Sequence, residues 1–478
     1  MIILKKNFYE ELYKVYSFGY VTNEQKQEYS EEAKKLFLSR CKKHITDRIN
    51  ILYNASEYII IEENYVEPEW KTMVKEHYIN SAYSNNLKQR VIRVHFLNND
   101  VFSEENYLGF ITLRPLEEIE IALSFVYLNW KHEFFADYTT FVMTYPKEIH
   151  YIGKAITIFT YPFFAQDSIV TCCADANVIM LKKYFANKFK ISTTGKNSCP
   201  ILINNKEHKL PRTVTRILLE SMLSQAEIPF SVYLNNENNR EKTDWTEVQN
   251  KIDAYIESGL PVILGVNKHV VQIIGYANSK NGDNKGYIIY DDSGHLEKMC
   301  HGQENKDRHF SYIVQLNDIR NFLEQNENYF LLFSEHERVY MKFEYYKHHL
   351  RFHLTAYKIQ DTENESIYPF IINDKKQFQE NVSLRTMLVD NSVVKSFYLK
   401  QSTEEQKKCI KEFLYGALPH YLWYTEITVH KENDKIICLC ADPTMYYRTN
   451  DLKKLFLYMP PIAIVDNDRL MLLTKSNP

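Results

Sequence analysis

The sequence predicts an α+β fold with helices packed on antiparallel sheet, and three observations carry that prediction. Through the middle of the chain three helix patterns come first and a set of short strand-like runs follows, without βα alternation. Strand-like runs also fill residues 58–127 and recur after residue 341. The composition is that of a packed chain: 478 residues, 45% hydrophobic and 14% aromatic, with 36 Tyr and 27 Phe against only 12 Gly and 14 Pro. This excludes a linker, a collagen or a disordered tail, and the length allows two to four domains.

No repeat or low-complexity linker divides the chain, so changes in texture set three regions. Residues 1–150 form a mixed helix and strand region. Ala33, Leu36, Phe37, Cys41 and Ile45 fall at helical spacing between about 24 and 50. Strands are predicted at Tyr58 to Ile61, Val91 to Leu97, Tyr107 to Thr112 and Ile119 to Tyr127.

Residues 151–340 form the central region. A strand-like run from Ala155 to Phe164 leads to Gln166. A helix follows Cys172, with Ala176, Met180, Leu181, Tyr184 and Phe185 on one face. A second helix runs from Arg212 to Gln225 behind Pro211, and a third is bracketed by Asp244 with Glu247 and by Gly259. Strands come next at Pro261 to Val266, His269 to Tyr276, Tyr287 to Tyr290 and His309 to Leu316, the first two joined by a short Asn267-Lys268 turn.

Residues 341–478 form a third mixed region. Phe343 to Ile359 reads as one long strand or two. A helix from Thr403 to Tyr415 has Ser402 and Glu405 as its capping box and Gly416 as its stop, and strands are expected at Ile437 to Ala441 and Ile462 to Val465.

The formal net charge of −3 gives no footprint for nucleic acid or an anionic membrane. No apolar stretch reaches the length of a membrane span, and the run at Met1 to Leu4 is too short for a signal peptide. The eight Cys form no CxxC pair and no framework, the pattern of free thiols in a reducing cytoplasm. No cofactor is expected.

The segment that points to chemistry is Gln166-Asp167-Ser168-Ile169-Val170-Thr171-Cys172-Cys173-Ala174. A thiol nucleophile needs a lowered pKa, a base and donors for an oxyanion. Cys172 stands at the predicted helix start, where free N–H groups and the dipole favour a thiolate. The Gln166 amide and the Cys172 N–H are the candidate oxyanion donors. His269, at the start of a strand, is the candidate base, and Asp291, at the end of another, the carboxylate that would orient it, with Asp292 as the alternative. Each piece has a bland reading: a buried Cys pair, a structural His, and an Asp-Asp-Ser-Gly turn.

In this order (Gln166, Cys172, His269, Asp291) the chain resembles the papain-like cysteine peptidases, especially the bacterial branch that includes the double-glycine leader peptidases. The resemblance covers residues 155–335. It implies a papain-like central domain that cleaves an amide bond of a peptide or protein, with Cys172 as nucleophile, His269 as base, Asp291 as orienting acid and Gln166 as oxyanion donor. The flanking regions would control access or bind a regulatory protein partner. Cys173 stands where the family often has Trp or Gly, and no Pro follows Asp291. The same triad suits a transamidase, a deamidase or an acyltransferase, or a non-catalytic interaction protein that keeps the fold.

Other features are discounted. His348, His349 and His353 would be too far apart along a strand to share an ion, so no metal is expected. Cys438 with Cys440, and Cys409 with Phe413, read as core. Cys199 and Cys300 have no evident partner, and Trp423 is either core or a docking surface. Seven of the 12 Gly fall between 259 and 302, around His269 and Asp291.

Overall fold

In the computed structural model, helices and antiparallel sheets combine in an α+β fold. The structure describes residues 2–20, 91–114, 120–127, 137–166, 171–190, 215–235, 245–325 and 329–356, apart from 283, 292–293 and 302–310, and most of 39–76, 382–443 and 457–472. Of the expected N-terminal helix, Ala33, Leu36 and Phe37 lie outside the described residues; Cys41 and Ile45 are buried. Asp292, Pro211, Asp244 and Cys199 also lie outside them.

The chain divides into two compact units: residues 1–243 with 261–334, and residues 244–260 with 335–478. The regional cuts at 150 and 340 therefore need correction. The second lies close to a real division. The first does not, because strands on either side of it are exchanged between sheets.

Unit 1 holds two antiparallel sheets. The first contains β1 (Ile2–Leu4), β2 (Tyr58–Tyr65), β3 (Val91–Leu97), β4 (Tyr107–Arg114), β5 (Glu120–Ile121), β6 (Ser124–Tyr127), β8 (Tyr145–Tyr151) and β9 (Lys154–Phe163), in the order β1-β2-β3-β4-β6-β9-β8 with β5 beside β4. The second contains β7 (Tyr138–Val142), β10 (Phe230–Asn235), β11 (Val262–Val266), β12 (His269–Ser279), β13 (Lys285–Tyr290), β14 (Ser311–Gln315) and β15 (Tyr329–Ser334), in the order β10-β15-β11-β12-β13-β14. β7 joins it by pairing with the outer half of β12, from Gly275 to Ser279. That pairing needs glycine at 275: a Cβ there would lie 2.2 Å from the Phe141 carbonyl oxygen.

The Cys173–Lys188 helix packs on β8 and β9 of the first sheet and on β12 of the second. From Ala174 to Leu181 it is buried on all sides rather than on one face: Ala174, Val178, Ile179 and Leu181 are enclosed together with the expected Ala176 and Met180, and Tyr184 and Phe185 continue the buried face. Aromatic rings fill the seam. Tyr161 lies against Tyr184 (centroids 4.8 Å apart) and edge-on to Tyr290 (5.4 Å).

Unit 2 is built on a six-stranded sheet of β16 (Val382–Asp390), β17 (Tyr421–Val429), β18 (Lys435–Ala441), β19 (Leu457–Tyr458), β20 (Ile462–Val465) and β21 (Arg469–Leu472). The segment expected as strand at 343–359 is instead the Phe343–Ala356 helix. Its buried residues Phe343, Tyr346 and Leu350 follow a helical period, which the dense aromatics and histidines obscure. Positions 349 and 353 are therefore about one helical turn apart and not four residues along a strand. Among the described residues, no group of three or more His, Cys, Asp or Glu side chains is placed to hold a metal. Trp423 is core: it is buried, stacks on Tyr346 at 5.7 Å and donates from Nε1 to the Met341 carbonyl at 2.8 Å. The Trp245–Glu257 helix, read as part of the central region, belongs to this unit, where Lys251 pairs with Glu344 and the Tyr255 hydroxyl donates to Glu335.

Candidate active site

Cys172 is the N-cap of the Cys173–Lys188 helix, with extended backbone (φ −114°, ψ 178°). Asp175, at the third helical position, accepts from the Cys172 backbone N–H (3.0 Å) and from its thiol (3.2 Å). This reciprocal cap stops the helix one residue before Cys173 and turns the Cys172 side chain onto the first turn. The Cys172 N–H, expected as an oxyanion donor, is thus taken by Asp175.

His269 opens β12 after a two-residue hairpin. Val266 pairs with His269, and the turn residues Asn267 and Lys268 both have positive φ (50° and 64°), the geometry of a type I′ turn. A turn this tight leaves the imidazole little positional freedom. Its Nε2 lies 3.0 Å from Asp291 Oδ1, at the end of β13. The other carboxylate oxygen, Oδ2, accepts from the Tyr312 hydroxyl at 2.7 Å and from the Leu296 N–H at 3.1 Å. Asp291 is 4% exposed, and burial disfavours its charge, but His269, Tyr312 and Leu296 together hold it well below the usual carboxylate range. With Nε2 committed to Asp291, the remaining ring nitrogen, Nδ1, is the one free to meet a thiol.

The sulfur that His269 meets is Cys173. This corrects the assignment of Cys172 as the thiol beside the base. Physically, the extended N-cap points its side chain into the capping turn, whereas the first helical position points toward β12. A second tie fixes the approach. Asn177 Nδ2 donates to the Cys173 carbonyl (2.7 Å) and to the Val270 carbonyl (2.9 Å), linking the first helical turn to β12. Gln272 Nε2 donates to the Asn177 carbonyl (2.6 Å) and its Oε1 accepts from the Tyr161 hydroxyl (2.7 Å), so β9, the helix and β12 are laced by buried polar groups.

The electrostatics follow from these contacts. Cys173 is lowered from 9.0 to about 5: the Cys172 thiol donates to it, burial opposes, and the His269 ring and the Val270 N–H favour the thiolate. His269 is raised from 6.5 to about 10, because Asp291 and then Cys173 outweigh the burial that disfavours its cation. Cys172 moves the opposite way, pushed up by its hydrogen bond to Cys173, by burial and by the Asp175 carboxylate. Burial pushes Cys41 and Cys300 up to about 12. Of the described thiols, Cys173 is the one whose surroundings favour a thiolate.

Gln166 follows β9 and is half-buried. The segment leading to it is held from below: Arg114 is fully buried, lies over the Phe164 ring at 4.4 Å and donates to the Ala165 carbonyl at 3.3 Å. A small pocket adjoins His269, lined by Thr215, Leu219, Gly265, Asn267, Val270 and Phe330. Gly265 is needed there, since a Cβ would lie 2.0 Å from the Phe330 ring.

Cys173, Tyr312 and Asn177 were not among the expected site residues. One signal for Cys173 was present: Asp three residues after Cys172 has the spacing of a capping box and makes Cys172 the cap. Nothing local marks Tyr312 as a partner of Asp291. No protein-family model and no curated protein sequence matches the chain.

Proposed function

We propose that unit 1 is a papain-like thiol hydrolase that cleaves an amide bond of a peptide or protein, with Cys173 as nucleophile, His269 as base and acid, and Asp291 as the orienting carboxylate. The observation that carries this reading is the linked chain Cys173–His269–Asp291, formed by a helix start and two strand ends. The Cys173 thiolate attacks the carbonyl carbon and forms a tetrahedral oxyanion. The His269 imidazolium gives its Nδ1 proton to the leaving amine. Water, deprotonated by the same nitrogen, then releases the acyl-enzyme. Asp291 keeps the Nε2 proton in place throughout. The Cys173 N–H, one of the first N–H groups of its helix, and the Gln166 amide are the proposed oxyanion donors. The pocket beside His269 is small and partly apolar, which suits a short apolar side chain of the substrate.

The flanking sheet and unit 2 are proposed to select the substrate or a regulatory partner. A cytoplasmic location is proposed from the cysteine usage, since eight Cys with no CxxC pair and no framework suit a reducing compartment. No helix among the described residues is long and apolar enough to cross a membrane.

The test is hydrolysis of a fluorogenic peptide library by wild type, C173A and C172S. Cleavage that disappears in C173A and persists in C172S supports the assignment. Equal cleavage by C173A and wild type overturns it. A wild type whose Cys173 alkylates readily but cleaves nothing sinks the hydrolysis reading.

A further inference from the structure

Two adjacent thiols at the start of one helix have complementary surroundings. Cys173 faces His269, and the single Cys172 S–H is shared between the Cys173 sulfur and the Asp175 carboxylate, whose Oδ2 lies 3.2 Å from the Cys172 sulfur. Both side chains are partly exposed, whereas Cys41 is fully buried. The proton of the second thiol therefore has a buried acceptor beside it, and the first sulfur has a hydrogen-bonded sulfur neighbour.

We propose that Cys172 and Cys173 form an oxidative modification site, in which a peroxide oxidises Cys173 to a sulfenic acid and Cys172 closes on it to give a reversible disulfide between adjacent residues. The chemistry balances. The Cys173 thiolate attacks a peroxide oxygen, the O–O bond breaks and hydroxide leaves; sulfur is oxidised by two electrons and the peroxide reduced. The Cys172 sulfur then attacks Cys173, the S–O bond breaks, and the departing hydroxide leaves as water with the Cys172 proton. Two thiols and one peroxide give one disulfide and two waters.

The position of the pair favours closure. Adjacent Cα atoms lie about 3.8 Å apart, below the roughly 4.4–6.8 Å of ordinary disulfides, so the ring is strained. In a helix interior such a ring would break the hydrogen-bond ladder. Here Cys172 is the extended cap and Cys173 the first helical residue, so the peptide between them carries only the first bond of the ladder, from the Ala176 N–H to the Cys172 carbonyl at 3.1 Å. The strain also makes the disulfide easily reduced, as a regulatory one must be. Closure removes the nucleophile and leaves no irreversible sulfinic acid.

This inference rests on the reading of Cys173 as the reactive thiol, but not on which bond the protein cleaves. The experiment uses full-length reduced protein, treated with hydrogen peroxide, alkylated after denaturation and digested with trypsin. The peptide 155–182 contains both cysteines and no other. In wild type it is expected two hydrogens lighter, closed to alkylation and reopened by dithiothreitol. In C172S, which keeps a good helix cap, Cys173 is expected to accumulate oxygen that dithiothreitol does not remove, about tenfold faster than in wild type. A wild-type peptide that gains oxygen on Cys173 at the C172S rate, with Cys172 still open to alkylation, overturns the inference. If Cys173 is also the first thiol to alkylate at pH 6, that result leaves the proposed nucleophile standing. If Cys173 neither alkylates first nor oxidises, both fail.

Discussion

Replacing His269 by Gln removes the cation that faces Cys173 while leaving a polar side chain of similar reach. The Cys172 thiol and the Val270 N–H still favour the thiolate, so a full return from about 5 to the ordinary 9.0 sets the upper bound of the effect. At pH 6 the thiolate fraction then falls from about nine-tenths to about one in a thousand, roughly 900-fold. A more basic thiolate is also a better nucleophile, by about 40- to 100-fold over four pKa units at a Brønsted coefficient of about 0.4–0.5. The net effect at this bound is alkylation about tenfold slower at pH 6. At pH 8 the thiolate fractions differ by only about elevenfold, so nucleophilicity wins and the variant alkylates several-fold faster. The sign of the effect therefore reverses near neutral pH. The assay is the second-order rate of iodoacetamide at Cys173, followed on the peptide 155–182 at both pH values. Parallel pH profiles for wild type and H269Q would refute the reasoning, because they would mean that the imidazole does not set the charge on the sulfur.

Other substitutions test the supports of the site. N177A removes the donor that ties the Cys173 and Val270 carbonyls; it should cost about 1–3 kcal/mol in denaturant unfolding and slow Cys173 alkylation at pH 6. G265V drives a side chain into the Phe330 ring and should cost about 1–3 kcal/mol by the same measurement while closing the pocket beside His269. W423A empties the centre of unit 2 and should lower its stability by about 3–5 kcal/mol, read from its unfolding transition, with Cys173 reactivity unchanged. Because the folded pKa of Cys173, about 5, lies below its ordinary 9.0, the thiolate's contribution to stability is complete above pH 9 and is lost as pH falls through 5. The stability advantage of wild type over C173S, measured as unfolding midpoints, should therefore shrink from pH 9 to pH 5.

Most strands were legible in the sequence, because β-branched and aromatic residues cluster between turn residues. The expected strands at Val91–Leu97 and Ile462–Val465 match the observed bounds, and the Asn267-Lys268 turn fixes His269 where the pattern placed it. The concentration of glycine near His269 and Asp291 also has a physical basis, since Gly265 and Gly275 admit a ring and a strand at close range. Three features were not legible for three different reasons. The Phe343–Ala356 helix is so rich in aromatic and histidine residues that period 2 and period 3.6 compete over a short window. The exchange of β7 and β9 between sheets depends on pairing partners more than a hundred residues away for β7, which local pattern does not encode. The choice between Cys172 and Cys173 turned on one residue of helix register, decided by Asp175 capping the turn.

The most direct test of the central claim is to map the first alkylation. Full-length reduced protein is treated with a limiting amount of iodoacetamide at pH 6, and the labelled cysteine is located by fragmentation of its peptide. The thiolate held by His269 predicts label on Cys173, ahead of Cys172, Cys300 and Cys41. Label appearing first on Cys172, or spread evenly over these four, would contradict it.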